Sequence, residues 1–170
     1  MMFIPTIELQ GNSEQVAYWG GLAKAGRING CYCQTKLGHG TFVRGIETTA
    51  TLDLDTNEFV INSPSLTSAK FWPGAMATFC THGILMARLI IKRKGYGAHT
   101  VVIQFRNADD FSPISGMEFG DLGMKMRFNG TSNGYAIFSN VRIPRTNLLM
   151  GHVCVDNDGN YTKPLHDKVA

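Results

Sequence analysis

From Ile28 onward the chain repeats with a period near two rather than near three and four, and this limits its fold more than any other feature. Short runs rich in Thr, Val, Ile and Phe are separated by turn residues, at about 28–35, 42–52, 58–63, 66–71, 79–92, 98–106, 117–127, 134–141 and 147–155. No helical pattern separates the strands, so parallel βαβ units are excluded. A mainly β fold, an antiparallel β-barrel or sandwich, is expected. Asp53–Asn57, Lys94–Gly97 and Asp156–Gly159 carry hairpin-turn chemistry, and Asn107–Gly116 reads as the longest loop. In Phe79–Ile91, Leu85, Met86, Leu89 and Ile90 would also suit a helix face, but Gly83 and the continuous Leu-Ile character favour a strand.

Residues 1–11 are apolar and interrupted by Pro5, which suits a loop. Asn12 can cap a helix with Gln15 at its third position. Val16, Trp19, Leu22 and Ala23 then follow at helical spacing until Gly26. One N-terminal helix is therefore expected, over about residues 13–25.

At 170 residues, 44% hydrophobic and 17% charged, the chain can bury an ordinary core as a single domain. The net charge of +3 comes without a run of like charges, which argues against a nucleic-acid partner. Lys92–Lys94 ends an apolar run and reads as a solvated strand end. Cys31, Cys33, Cys80 and Cys154 form no CxxC pair, and the five histidines supply no partner set, so buried free thiols in a reducing compartment are expected rather than a metal site. With no signal segment and no apolar run of about 18 residues, a soluble intracellular protein without a membrane span is expected.

Two stretches carry candidate chemistry. In Cys31–Thr41, CYCQTKLGHGT, a strand breaks into a turn with Gly38 and Gly40. These glycines read as backbone freedom at a tight turn, or as part of a surface offering main-chain N–H groups, Gln34 and Thr35 to a planar heterocycle or an anion. His39 has no partner set for nucleophilic catalysis. In Phe71–Gly74, FWPG, two aromatics precede a fixed φ and a residue without a side chain. They are either core beside a plain turn, or a flat surface where a ligand approaches backbone closely.

Several blocks together resemble the peroxisomal acyl-CoA oxidases, and more broadly the acyl-CoA dehydrogenase fold. They are Cys31–Gly45, Ile46–Thr51, Phe59–Gly74, Gly120–Gly123, Asn133–Tyr135, Arg142–Met150 and Asp158–Pro164. The family form of the first block is QTELGHGT, and here Lys36 replaces the acid. The resemblance implies that residues 1–27 end an N-terminal helical domain and that 28–170 form the middle β-barrel domain, which in the family supplies one wall of the FAD site and part of the acyl-CoA groove. It implies that Gln34 and Thr35 hydrogen-bond the flavin edge, and that Gly74, just after Trp72, brings backbone against the ring. The implied reaction is α,β-dehydrogenation of acyl-CoA with reoxidation of FAD by oxygen.

The family's catalytic base is a glutamate of a C-terminal helical domain, a region this sequence does not reach, so no catalytic residue is expected here and the chain alone is expected to be inactive. The remaining domains or subunits of an oxidase are implied partners, and a barrel without its helical neighbours is expected to form a homo-oligomer. A peroxisomal location is implied by family alone, since Lys168–Ala170 is not an SKL-type address. The rival expectation is a flavin-free binding or assembly module built on the same barrel.

Overall fold

The computed structural model describes residues 2–163; the C-terminal tripeptide lies outside the described residues. It begins with helix α1 (Phe3–Gln10), where a loop was expected. Pro5 is the third residue of α1, inside the first turn, where its missing N–H would have had no intrahelical acceptor. The second helix, α2, runs as an α segment Ser13–Gln15, a π segment Val16–Gly20 and an α segment Gly21–Lys24. Its start is the expected capping box, with Gln15 N donating to Asn12 Oδ1 at 2.9 Å and Asn12 N to Gln15 Oε1 at 3.1 Å.

Among the described residues eleven strands follow: β1 Gly30–Cys33, β2 Thr49–Asp53, β3 Glu58–Asn62, β4 Lys70–Gly74, β5 His82–Ile91, β6 Lys94–Gln104, β7 Met117–Asp121, β8 Asn133–Phe138, β9 Val141–Pro144, β10 Cys154–Val155 and β11 Tyr161–Thr162. β5 is the spine of the larger sheet, pairing antiparallel with β6 on one edge and parallel with both β1 and β2 on the other. The sheet is therefore mixed where an all-antiparallel one was expected. The parallel pairs need no βαβ crossover because the chain between their members builds other strands. The sheet continues from β2 through β3 to β9, and a smaller sheet has the order β4-β8-β7. Phe71 N donates to Thr35 O at 3.0 Å and Ser63 N to Phe138 O at 2.8 Å, and these bonds link the sheets into a curled half-barrel.

The barrel interior is filled by Phe59, Ile61, Leu85, Leu89, Phe105 and Phe138. A second cluster seats the helices on the outside of β5 and β6, with Phe3, Ile7, Ile28, Ile84, Val102 and Leu149. The first half of β5 is thus buried on both faces, the physical reason its sequence reads as a continuous apolar run that a helix could also claim.

Several local expectations shift. The β5–β6 turn falls at Lys92 and Arg93, both at positive φ (50° and 65°), and Gly95–Gly97 belongs to a bulge within β6. Residues 43–45, 66–68 and 145–147 are short 3-10 turns at places where strands were expected to begin or continue. The strand expected over 117–127 ends at Asp121.

Candidate functional site

Where β1 ends, Gln34 and Thr35 lie alongside the segment leading into β4. The turn is held against it by Phe71 N to Thr35 O (3.0 Å), Leu37 N to Ala69 O (2.9 Å) and Gly38 N to Thr67 O (3.0 Å). Gly38 serves close approach rather than a special φ: a Cβ there would lie 3.0 Å from Thr67 Cβ and 3.1 Å from Thr67 O. Tyr32 Oη donates to Gln34 Oε1 at 3.1 Å, which aims the amide. The Gln34 NH2 group and the Thr35 hydroxyl have no partner among the described residues, and both side chains are half-buried.

Lys36 and His39 close the turn from behind. Lys36 Nζ is buried, donating to Gly45 O at 2.6 Å and to Glu47 Oε2 at 3.3 Å, and His39 Nε2 lies 3.1 Å from the same carbonyl. Hydrogen bonding from Thr67, and then from Lys36, holds the Glu47 carboxyl below its usual range. Lys36 is thus a tie between the turn and residues 45–47.

In β4 the register slips by one residue: Phe71 pairs with Tyr135 but Gly74 with Asn133, so Trp72 and Pro73 occupy a β-bulge. Trp72 has φ +80°, a conformation that costs a bulky residue on the order of 1–3 kcal/mol unless its surroundings hold it. Regular alternation from buried Lys70 would turn Trp72 inward. The bulge turns Pro73 inward instead and leaves Trp72 45% exposed beside half-buried Phe71. The two aromatics therefore form a surface and are not both core.

Residues 75–81 continue from Gly74 and are pinned from inside by Arg106, which is 5% exposed. Its Nη1 donates to Cys80 O at 2.8 Å, its Nη2 to Met76 O at 2.9 Å and Ala77 O at 3.1 Å, and its guanidinium lies 4.1 Å from the Phe119 ring centroid. A cavity of about 710 Å³ opens between this segment and α1, with Phe3, Tyr32, Gly74, Phe79 and Thr131 in its wall. Among the described residues, none lining it is a carboxylate or a histidine. Gly74 is confined there, since a Cβ would meet Thr131 Cγ2 at 3.3 Å.

Cys31, itself part of this wall, meets the thiols of Cys33 and Cys80, with Sγ–Sγ distances of 3.3 Å for Cys31–Cys33 and 3.6 Å for Cys31–Cys80. Hydrogen bonding to the neighbouring thiol, reinforced by burial, pushes the Cys31 and Cys80 thiols up, so both stay protonated. Among the described residues, no group of side chains is arranged to hold a metal.

The structure therefore brings Gln34 and Thr35 beside the bulge that carries Trp72 and leads into Gly74, and of these four residues only Gly74 lines the cavity. Arg106 and Asn133, whose Nδ2 donates to Trp72 O at 2.7 Å, were not legible as site residues. Asn-Gly in a glycine-rich stretch reads as a turn, and an arginine at a strand end reads as solvated.

The family model for the acyl-coenzyme A oxidase N-terminal region matches residues 1–29. Over 169 residues, 99% of this chain, it is 48% identical to acyl-coenzyme A oxidase acox-1.3 of Caenorhabditis elegans and 45% identical to peroxisomal acyl-coenzyme A oxidase 1 of Pongo abelii. Each match takes in 26% of the relative. Among solved structures, it is similar to Arabidopsis thaliana acyl-CoA oxidase 1 (TM-score 0.96, 45% identity, 98% of this chain and 26% of that one). It is also similar to Caenorhabditis elegans acyl-CoA oxidase-2 bound with FAD, ascaroside-CoA and ATP (TM-score 0.93, 46% identity, 97% and 25%). The chain spans about a quarter of the length of these relatives. Matched in sequence and in fold along nearly its whole length, it belongs to the acyl-CoA oxidase family.

Proposed function

We propose that residues 28–170 are the middle β-barrel domain of an acyl-CoA oxidase, that residues 1–27 end the helical domain before it, and that the barrel forms one wall of an FAD site. The observation that carries this reading is the β4 bulge, which sets an outward Trp72 and the confined Gly74 beside the unclaimed donors of Gln34 and Thr35. A flat heterocycle with acceptor atoms along one edge fits such a set: aromatic surface, close backbone and hydrogen-bond donors. Gln34 and Thr35 would donate to the ring edge, and Trp72 and Gly74 would flank the ring. When bound, FAD supplies hydride acceptance from the β-carbon of an acyl-CoA and passes the electrons to oxygen, giving the trans-2-enoyl-CoA and hydrogen peroxide.

On this reading the barrel binds and orients, and the α-proton is removed by a base that the cavity wall does not contain. The structurally similar Caenorhabditis elegans oxidase bound with FAD supports the cofactor, and the peroxisomal acyl-coenzyme A oxidase among the relatives supports a peroxisomal location. Met124 (96% exposed), Met126 (103%) and Phe128 (71%) stand out from residues 122–132, and we assign to them contacts with the remaining oxidase length or with a second copy of the chain.

The test is titration of FAD with the 170-residue chain, followed by flavin and tryptophan fluorescence. Saturable quenching at micromolar concentrations is expected, weakened by T35A and by W72A. Absence of binding at high micromolar FAD would overturn the reading in favour of a flavin-free module.

A further inference from the structure

Asn133 opens β8 opposite Gly74 and is 4% exposed. Its Nδ2 donates to Trp72 O at 2.7 Å, while its Oδ1 is buried without a partner. Reversing the amide would set that oxygen against the Trp72 carbonyl, two acceptors facing each other, so the Trp72 bond fixes the orientation. A side-chain donor is needed here for a specific reason. The bulge breaks the β4–β8 ladder at Trp72–Pro73, and Pro73 has no N–H to restore it. The amide occupies the place of the missing main-chain partner.

The neighbouring contacts make this placement rigid. A Cβ at Gly134 would lie 2.8 Å from both Ala77 N and Gly120 O, so the start of β8 is wedged between the 75–81 segment and β7. Leu122 N donates to Asn133 O at 3.1 Å and Asn133 N to Thr131 O at 2.9 Å. The Asn133 carboxamide is thus delivered to Trp72 O from a backbone packed closely on both sides.

We infer that Asn133 is a positioning residue for the flavin-facing bulge. Its amide holds the Trp72 peptide in the left-handed conformation, which keeps the indole outward and the Gly74 backbone at the ring-facing surface. The inference rests on the flavin reading above and reaches the cofactor only through Trp72 and Gly74. Aspartate at 133 has the same shape but puts an acceptor against an acceptor, and serine is too short to span the gap.

The test uses the 170-residue chain with W19F, which leaves Trp72 as its single indole. Acrylamide quenching of Trp72, near-ultraviolet circular dichroism and FAD titration are compared for the parent, N133D and N133S. V141A, which removes a buried side chain from β9, serves as a control for loss of stability alone. At least a twofold change in Trp72 quenching, with FAD affinity weakened tenfold or more, is expected for both Asn133 variants, and affinity within twofold of the parent for V141A.

A glycine at 72 adopts positive φ without strain, so N133D should lower the urea midpoint less in the W72G background than beside Trp72. This comparison decides the matter if N133D is too unstable for titration. Unchanged quenching and affinity in folded N133D, or an equal loss of stability in both backgrounds, would overturn the inference. Failure of the parent chain to bind FAD would overturn the flavin reading, while Trp72 quenching and the W72G comparison still decide whether Asn133 holds the bulge.

Discussion

Lys36 and Lys70 face each other across an isolated antiparallel bridge with both side chains inside the fold, yet only Lys36 reaches a carboxylate. Lys70 Nζ donates to Met86 O at 2.6 Å, and burial, with a smaller contribution from Lys36, pushes its pKa down to about 7. Because the unfolded lysine holds its proton up to about 10.4, the unfolded state binds more protons between these values. The Lys70 contribution to stability therefore rises with pH from about 7 upward and is lost as pH falls towards 7. Urea midpoints measured from pH 7 to 8.5 should rise more steeply for the wild type than for K70M. Equal slopes would show that Lys70 stays charged in the fold. The raised Cys31 and Cys80 thiols oppose this trend at higher pH, so the window ends there.

Arg106 satisfies three carbonyls of the 75–81 segment with one planar fork. Lysine offers a single charged point that cannot reach all three, so R106K should cost about 2–4 kcal/mol in urea unfolding. Its quenching of bound FAD should weaken in parallel, because the segment carries the wall next to Gly74. A loss below about 0.5 kcal/mol would mean that the segment is held by other contacts.

Cys31, Cys33 and Cys80 are buried, and Cys154 is exposed. One thiol per chain should react with a disulfide reagent within minutes under native conditions, and all four in guanidinium chloride. C154S should abolish the fast phase. A fast thiol remaining in C154S would show that the cavity wall exposes Cys31.

His82 packs 5.6 Å from the Trp19 ring, and burial lowers its pKa to about 4. The fold prefers the neutral ring while the unfolded ring titrates near 6.5, so this contribution is complete above about pH 6.5 and is lost as pH falls towards 4. Between pH 7 and 4 the wild type should lose about 1–3 kcal/mol more than H82Q. Parallel acid unfolding curves would show that His82 is solvated.

The strand-rich half-barrel was legible because alternation is local: Phe59 and Ile61, or Leu85, Ala87 and Leu89, announce one buried face two residues at a time. Phe3–Gln10 was not legible as a helix, because Pro5 reads as a breaker unless its place in the first turn is known. The β5–β6 turn was misplaced by a few residues, because glycines at 95 and 97 outweigh two lysine or arginine positions whose positive φ only the sheet register imposes. The turn at Gln34 and Thr35 and the Phe71–Gly74 stretch offered a ligand surface only as one of two readings, and it was the resemblance that chose between them; no spacing rule would have chosen Thr35 over His39.

The sequence by itself determined the alternation, the capping box at Asn12 and the family, since each depends on residues close in the chain or on blocks in a fixed order. Tertiary structure decided the rest. Whether Trp72 points in or out depends on a one-residue slip against β8, and its carbonyl is satisfied by a residue 61 positions away. The carbonyls of Met76, Ala77 and Cys80 likewise find their donor in Arg106, 26–30 positions on. Such bonds join groups that only the folded sheets bring within 3.1 Å, and no local pattern in the chain announces them.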